Sequence, residues 1–435
     1  MPPELLSANE VSRKTSAGLS LRANFSWTFV ANALYAGTQW GLLILLTKLF
    51  EPELFGRYAL ALSIVTPTFT ASAMSLRAVQ VSAVEDEVSF TDYLFVRLTT
   101  NLLALLFLVL VVALGSIPSR LLSLMLLLGC NQAVDLVRDL YQGVMQKRER
   151  MDLVSISKVL GGCASIAMAA VMAFLTRKIL FVVVGMLTAR FFVLLLYDIP
   201  RSRALEVHRE PLVIWPGIRR AMKLWPLLPL VRTAFPLTIV TLLISLFPNI
   251  PRYFLADSGE AAVGYFTAIA SLVSLQELVT GALGEAAIRR LALDCAADRT
   301  AYVRLTRRLM GIFVAMGTLG VVIAMAFGGP LLTILFRPEY AKFANVLVWL
   351  MVAKVVLNAQ SAIGYAMTAA RMFKVQVWIY GLMLVSMVLC AWLLIPNWSL
   401  LGAAWATIIS ACVCLTISLV VMMKKLSFSV GVSHG

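Results

Sequence analysis

The sequence predicts an all-α polytopic membrane protein, with about twelve transmembrane helices in two pseudo-symmetric six-helix bundles around a central cavity. Three observations predict it. Apolar runs long enough to cross a bilayer recur from end to end, charge is sparse, and the one long polar connection divides the runs six and six. Of the 435 residues, 60% are hydrophobic and 14% charged, and the mean hydropathy is +0.89. A soluble core could not hide that much apolar surface, whereas a helix of about 20 such residues spans the roughly 30 Å hydrocarbon slab with every backbone group satisfied internally.

The runs fall at about 24–47, 56–82, 98–114, 121–144, 153–174, 179–197, 233–251, 261–285, 310–328, 346–367, 375–395 and 400–423. The first follows a polar tail (1–23) carrying Arg13, Lys14 and Arg22. It is too long for the apolar core of a signal peptide and lacks a small-residue cleavage site, so it is expected to stay in the mature protein. The remaining divisions are an N-terminal bundle (24–197), a basic linker (198–232), a C-terminal bundle (233–423) and a C-terminal tail (424–435).

A net charge of +15 invites a nucleic-acid reading, but the distribution of the cations speaks for topology. With the N-terminus inside, 24 Lys and Arg fall on inside loops and flanks, including Arg97, seven within 201–232, six within 289–308, Arg371, Lys374, Lys424 and Lys425. Eight fall outside: Lys48, Arg57, Arg120, Arg177, Lys178, Arg252, Arg337 and Lys342. This threefold bias places both termini and the linker in the cytoplasm. Contact of the basic loops with anionic lipid is then a by-product of topology, and no nucleic-acid partner is expected.

No metal or cofactor is expected either. Cys130, Cys163, Cys295, Cys390, Cys412 and Cys414 lie in apolar runs or in the 286–309 segment, and Cys412 and Cys414 point to different faces of one helix. His208 and His434 are far apart in the sequence. Trp27, Trp215, Trp225, Trp392 and Trp398, near run ends, read as interfacial anchors.

The two halves look related. Phe55-Gly56-Arg57-Tyr58-Ala59 opens the second run and Val263-Gly264-Tyr265-Phe266-Thr267 the eighth, with Gly56 and Ser63 matching Gly264 and Ser271 at a shift of 208. Gly143, Arg150, Met151 and Val154 match Gly364, Arg371, Met372 and Val375 at a shift of 221. Six spans return the chain to its starting side, so the repeats are parallel, about an axis along the membrane normal.

The stretch from Asp135 through Arg138, Asp139, Tyr141, Gln142, Gly143, Gln146, Arg148 and Arg150 to Met151, followed by Ser157, Lys158, Gly161 and Gly162, resembles the fourth-to-fifth helix junction of bacterial polysaccharide flippases. Asp92-Tyr93-Leu94-Phe95-Val96-Arg97-Leu98 resembles the start of their third helix, and Phe55-Gly56-Arg57-Tyr58 the start of their second. This Wzx-type branch belongs to the superfamily of the multidrug MATE exporters and the lipid II flippase. The resemblance implies a MATE-like fold and export of polyprenyl-diphosphate-linked oligosaccharide repeat units to the outer leaflet. It thus implies a role in lipopolysaccharide or exopolysaccharide synthesis, alongside other polysaccharide-assembly membrane proteins and without enzymatic chemistry.

Charge inside a bilayer costs at least about 2.5 kcal/mol per group, so each such residue needs a partner or a wet cavity. Asn131, Asp135, Arg138 and Gln142 form one stripe of the fourth run at spacings of four, three and four, and Lys354, Asn358, Ser361 and Tyr365 form another on the tenth. Arg190, Lys158, Arg77, Gln276 and Glu277 complete the set. The substrate-binding candidates are Lys354, Arg190, Asn358, Asn131, Arg138, Lys158 and Arg77, and the ion-coupling candidates are Asp135 and Glu277.

A structural reading stands beside each of these. Arg138 has Asp135 and Asp139 within helical reach. Lys158 and Arg77 lie near the cytoplasmic ends of their runs, where their side chains can snorkel to the headgroups. Arg190, about twelve residues into its run, snorkels less easily, and lining a cavity stands beside a structural role for it. Lys354 is near mid-depth with no acidic residue one turn away, and Glu277 is either the partner of one of these cations or a proton site. A diphosphate suits Arg and Lys, and sugars suit Asn, Gln, Ser and Tyr.

An ion-coupled small-molecule exporter of the MATE type is the nearest alternative, but it would favour a net acidic cavity for cationic substrates. A membrane glycosyltransferase or polysaccharide polymerase would carry acidic catalytic residues or a large outside loop, and the outside loops here are short. No phosphate-binding Gly-Lys motif points to ATP, which leaves the membrane potential, protons or sodium ions as the energy source.

Overall fold

A computed structural model describes residues 21–82, 89–115, 118–205 and 238–431. Most of the 198–232 linker, most of the N-terminal tail, the last four residues, Trp215 and Trp225 lie outside the described residues. Among those described, the regular elements are all helical. In order they are α1 (Leu21–Leu49), α2 (Pro52–Ala73), α3 (Leu76–Ser82), α4 (Phe90–Ala113), α5 (Leu122–Lys147), α6 (Met151–Thr176), α7 (Ile179–Val193) and α8 (Ile199–Leu205). There follow α9 (Thr238–Ser258), α10 (Glu260–Ala297), α11 (Arg299–Leu335), α12 (Ala344–Ala369) and α13 (Phe373–Gly431). A π-helical turn at Leu194–Asp198 joins α7 to α8.

Among the described residues, eleven helices are long and apolar enough to cross a membrane. The last of them, Phe373–Lys424, has 52 residues, which at about 1.5 Å each is more than twice the hydrocarbon thickness. It folds back on itself. Ser399 leaves helical geometry (φ 45°, ψ −120°) three residues after Pro396, and a Cβ on Gly402 would lie 2.3 Å from the Leu394 carbonyl oxygen. The described residues therefore offer twelve candidate spans, and the two runs at 375–395 and 400–423 are the arms of one hairpin.

Helix α4 shows why these sequences suit lipid. Arg97, Asn101, Ala104 and Leu108, at spacings of four, three and four, are buried, while Leu102, Leu103, Leu106, Phe107 and Leu110 are at least half exposed. The polar groups turn inward and the apolar stripe outward, the reverse of a soluble amphipathic helix. At its start Ser89 and Asp92 form a capping box, which satisfies backbone donors that have no intrahelical acceptor.

The second run, 56–82, is not one helix. Met74 and Ser75 both have positive φ (46° and 47°), which breaks it into α2 and α3. The junctions α5–α6 and α12–α13 share one turn. Glu149 and Arg371 both have positive φ. Arg150 N donates to Met145 O (3.1 Å), and Met372 N to Met367 O (3.0 Å), closing both helices in the same left-handed C-terminal motif. These turns superpose at a shift of 222, one more than the sequence match.

The chain gathers into two compact units, the described residues of 1–42 with 68–238 and those of 43–67 with 239–435. The turn between α1 and α2, which the sequence division places in 24–197, packs with the second unit. There the starts of α2 and α10 cross at the two glycines matched by the repeat. A Cβ on Gly56 would lie 1.7 Å from the Glu260 carbonyl oxygen, and one on Gly264 would lie 2.3 Å from that of Pro52. Pro52 and Glu260 are themselves equivalent at the shift of 208, so the contact is reciprocal, as across a local two-fold axis. Arg57 pairs with Glu260 beside it.

Candidate functional site

In the first unit the stripe on α5 turns onto α6, α7 and the π-helical turn. Arg138 is 5% exposed. It donates from Nε to Asp198 Oδ2 (2.7 Å), from Nη1 to Asp135 Oδ1 (3.2 Å), and from Nη2 to the Ser157 carbonyl (2.9 Å) and hydroxyl (3.1 Å). Arg190 donates from Nε to Ser165 Oγ (3.1 Å) and pairs through Nη1 with Asp135 Oδ2. Ser157 donates to Asp198 Oδ1 and accepts from Gln142 Nε2 at 2.9 Å. Two arginines and two aspartates thus close a charge-balanced network that is buried except at the partly exposed Asp135. Gly161 makes room for it, since a Cβ there would meet the Arg138 guanidinium at 2.5 Å.

Asp198 was missed in the sequence because the sixth run ends at 197; the π turn is what carries its carboxylate to Arg138. Asp139, expected beside Arg138, instead takes Arg77. Arg77 donates from Nη1 to Asp139 Oδ1 (2.8 Å) and Gln142 Oε1 (3.2 Å), and from Nε to Gln146 Oε1 (3.0 Å). Lys158 donates to Asn32 Oδ1 (3.1 Å). Asn131 is buried with its Oδ1 unpartnered among the described residues. Arg97, counted in the sequence as an inside flanking charge, is fully buried and donates to the Ala73 carbonyl (2.8 Å) where α2 breaks off.

The second unit holds a cavity of about 370 Å³. Its apolar wall includes Phe247, Val273, Leu350 and Met383, and its polar wall Arg252, Ser274, Glu277, Lys354, Gln360, Ser361, Tyr380 and Thr407. The carboxylate that Lys354 lacks on its own helix comes from α10, with Nζ 2.8 Å from Glu277 Oε1. The two ends differ, since the Lys354 side chain is 4% exposed and that of Glu277 65%. Asn358, on the same stripe, is turned away and clamps the helices, donating from Nδ2 to Gln276 Oε1 (3.1 Å) and the Phe313 carbonyl (3.0 Å).

Arg252 lies just beyond an interruption of α9 at 247–249. Its Nη1 donates to Asn249 Oδ1 at 2.6 Å, while its Nε is buried without a partner among the described residues. Sequence reading counted it as an outside flank, and the signal available was the pair Pro248 and Pro251 inside an apolar run. The described residues also include no group of three His, Cys, Asp or Glu placed to hold a metal ion.

Residues 21–288 match a protein family described as polysaccharide biosynthesis protein. The chain belongs to that family. The polysaccharide flippase resemblance read from Phe55–Tyr58, Asp92–Leu98 and Asp135–Met151 points the same way, and all three stretches fall inside the matched region. A relative within polysaccharide biosynthesis is the capsular polysaccharide biosynthesis protein CapF of Staphylococcus aureus, 26% identical over 401 residues, covering 90% of this chain and 96% of CapF. Two solved structures share the fold. The lipid II flippase MurJ in an inward closed conformation gives a TM-score of 0.71 at 12% identity, covering 92% of this chain and 87% of MurJ. The Vibrio cholerae MATE transporter VcmN gives 0.62 at 14% identity, covering 93% and 97%. This family member is therefore a multi-pass helical membrane protein of the MATE and lipid II flippase fold.

Proposed function

We propose that the protein is a flippase and not an enzyme. It moves polyprenyl-diphosphate-linked oligosaccharide repeat units from the cytoplasmic to the outer leaflet of the inner membrane, by alternating access. The observation that carries this reading is the charge of the second unit's cavity, where Arg252 and Lys354 stand against the single carboxylate of Glu277. A cation exporter would favour the opposite balance, whereas a diphosphate needs cations to replace its hydration. The apolar wall and the hydroxyl and amide groups of Ser361, Gln360 and Thr407 suit an amphiphilic glycolipid headgroup. Family membership and the names of CapF and MurJ support the substrate class.

Lys354→Ala tests this reading. Export is expected to fall about tenfold or more, the equivalent of about 1.4 kcal/mol of lost interaction, with surface polysaccharide lost and lipid-linked repeat units accumulating on the cytoplasmic leaflet. The fold should survive, because the released Glu277 carboxylate is already largely exposed. Lys354→Arg should keep part of the activity. Normal export by Lys354→Ala at wild-type protein levels would remove the cationic-cavity reading and favour the small-molecule exporter.

The orientation belongs to the same proposal: the 24-to-8 cation bias puts both termini and the 198–232 connection inside. Arg203 and Ser258 are both exposed. With the six native cysteines replaced, an impermeant thiol reagent added outside should label Ser258→Cys and spare Arg203→Cys. The reverse pattern would invert the topology.

A further inference from the structure

We propose that Glu277 is a built-in competitor for the anion that Lys354 binds, and that Arg252 is the second cationic arm of the same site. The inference rests on the flippase reading and adds to it how the site empties and resets. Lys354 is nearly fully buried, and its ammonium meets Glu277 at 2.8 Å. The pairing is one-sided, because Glu277 is 65% exposed and Lys354 is its one hydrogen-bond partner among the described residues. Swinging Glu277 away uncovers little of its own surface that is not already accessible, whereas Lys354 is held in the wall. An anion entering the cavity therefore displaces the carboxylate and not the ammonium.

Arg252 gives the displaced state its ligand preference. It lines the same cavity, and among the described residues its Nε is unpartnered and its one side-chain acceptor is the neutral amide of Asn249. No carboxylate pairs with it among the described residues. It follows a helix interruption, the kind of position at which membrane helices present ligand groups at depth. With Glu277 closed on Lys354 the cavity carries one uncompensated positive charge, and with Glu277 swung out it carries two. The second state matches a diphosphate diester, which has one negative charge on each phosphoryl group. A guanidinium is also suited to grip phosphoryl oxygens in pairs. When the anion leaves, Glu277 returns to neutralise Lys354, and that return opposes rebinding.

The test is equilibrium binding of inorganic diphosphate to the purified full chain in lipid nanodiscs, with monodispersity as the folding control. If Glu277 holds Lys354 closed most of the time, apparent affinity is reduced by the open fraction, so Glu277→Gln and Glu277→Ala should bind about tenfold more tightly than wild type. Arg252→Ala should bind about tenfold more weakly, with partial recovery in Arg252→Lys. The double variant Lys354→Ala/Glu277→Ala should bind no better than Lys354→Ala alone, because Glu277 then has nothing to compete for. Wild-type affinity in both Glu277 variants or in Arg252→Ala, with Lys354→Ala impaired, would overturn this inference and leave the flippase reading standing. Absence of binding to wild type and every variant would overturn both.

Discussion

A methyl group at Gly264 is expected to remove most of the folded, membrane-inserted protein. Its Cβ would sit 2.3 Å from the Pro52 carbonyl oxygen and 3.2 Å from Gly56 N. Both are backbone atoms, so no rotamer change relieves the overlap, and the start of α2 must move away from α10. Overpacking against side chains costs about 1–3 kcal/mol, and a clash with backbone should lie at or above the top of that range. Gly56→Ala should be at least as severe, since its Cβ would lie 1.7 Å from the Glu260 oxygen. Gly311, where nothing lies within 4 Å of an added Cβ, supplies the control, and Gly311→Ala should be neutral. Fluorescence-detected size-exclusion profiles of the three variants decide the matter: a wild-type peak for Gly264→Ala would mean that the helices do not cross at this distance.

The second large effect is expected at Asp198, which is fully buried, with Arg138 5% exposed. Asp198→Ala leaves the Arg138 Nε without its carboxylate and the buried network with an excess positive charge. Removing one partner of a buried pair costs about 3–5 kcal/mol, whereas replacing both by apolar groups is often neutral. The midpoint of thermal unfolding in detergent should therefore fall clearly in Asp198→Ala, less in Asp198→Asn, and recover in the double variant Arg138→Met/Asp198→Leu. Equal midpoints for Asp198→Ala and wild type would show that Asp198 does not neutralise Arg138.

The spans were legible in the sequence because lipid imposes length and hydropathy on each one separately. Breaks in helices were less legible. Met74 and Ser75 interrupt the 56–82 run without glycine or proline at the break, and the Arg97 guanidinium, which arrives from α4, takes the freed Ala73 carbonyl. The polar inventory was legible residue by residue but not in its pairings. Asp135 with Arg138 is a local, i to i+3 relation that a helical stripe reveals. Asp198 with Arg138 spans 60 positions and needs the π turn. Lys354 with Glu277 spans 77, so the ammonium that looked unneutralised on its own helix is neutralised by a neighbour. Arg252 was hidden by counting it among loop charges, although the prolines around it mark the interruption of α9.

The folding-back of α13 at Ser399 bears on how the chain enters the bilayer. From Val375 to Met423 there is no Asp, Glu, Lys or Arg, and the turn between the arms carries only Asn397 and Ser399 as polar side chains. No charge at its tip resists passage through hydrocarbon, and the close approach of Gly402 to Leu394 lets the arms associate with hardly any chain between them. The two arms are thus suited to leave the insertion machinery together as a preformed hairpin. Their direction would then be set from outside the apolar stretch, by Arg371 and Lys374 before it and Lys424 and Lys425 after it. Those four cations would then hold both ends on one face while the uncharged tip crosses.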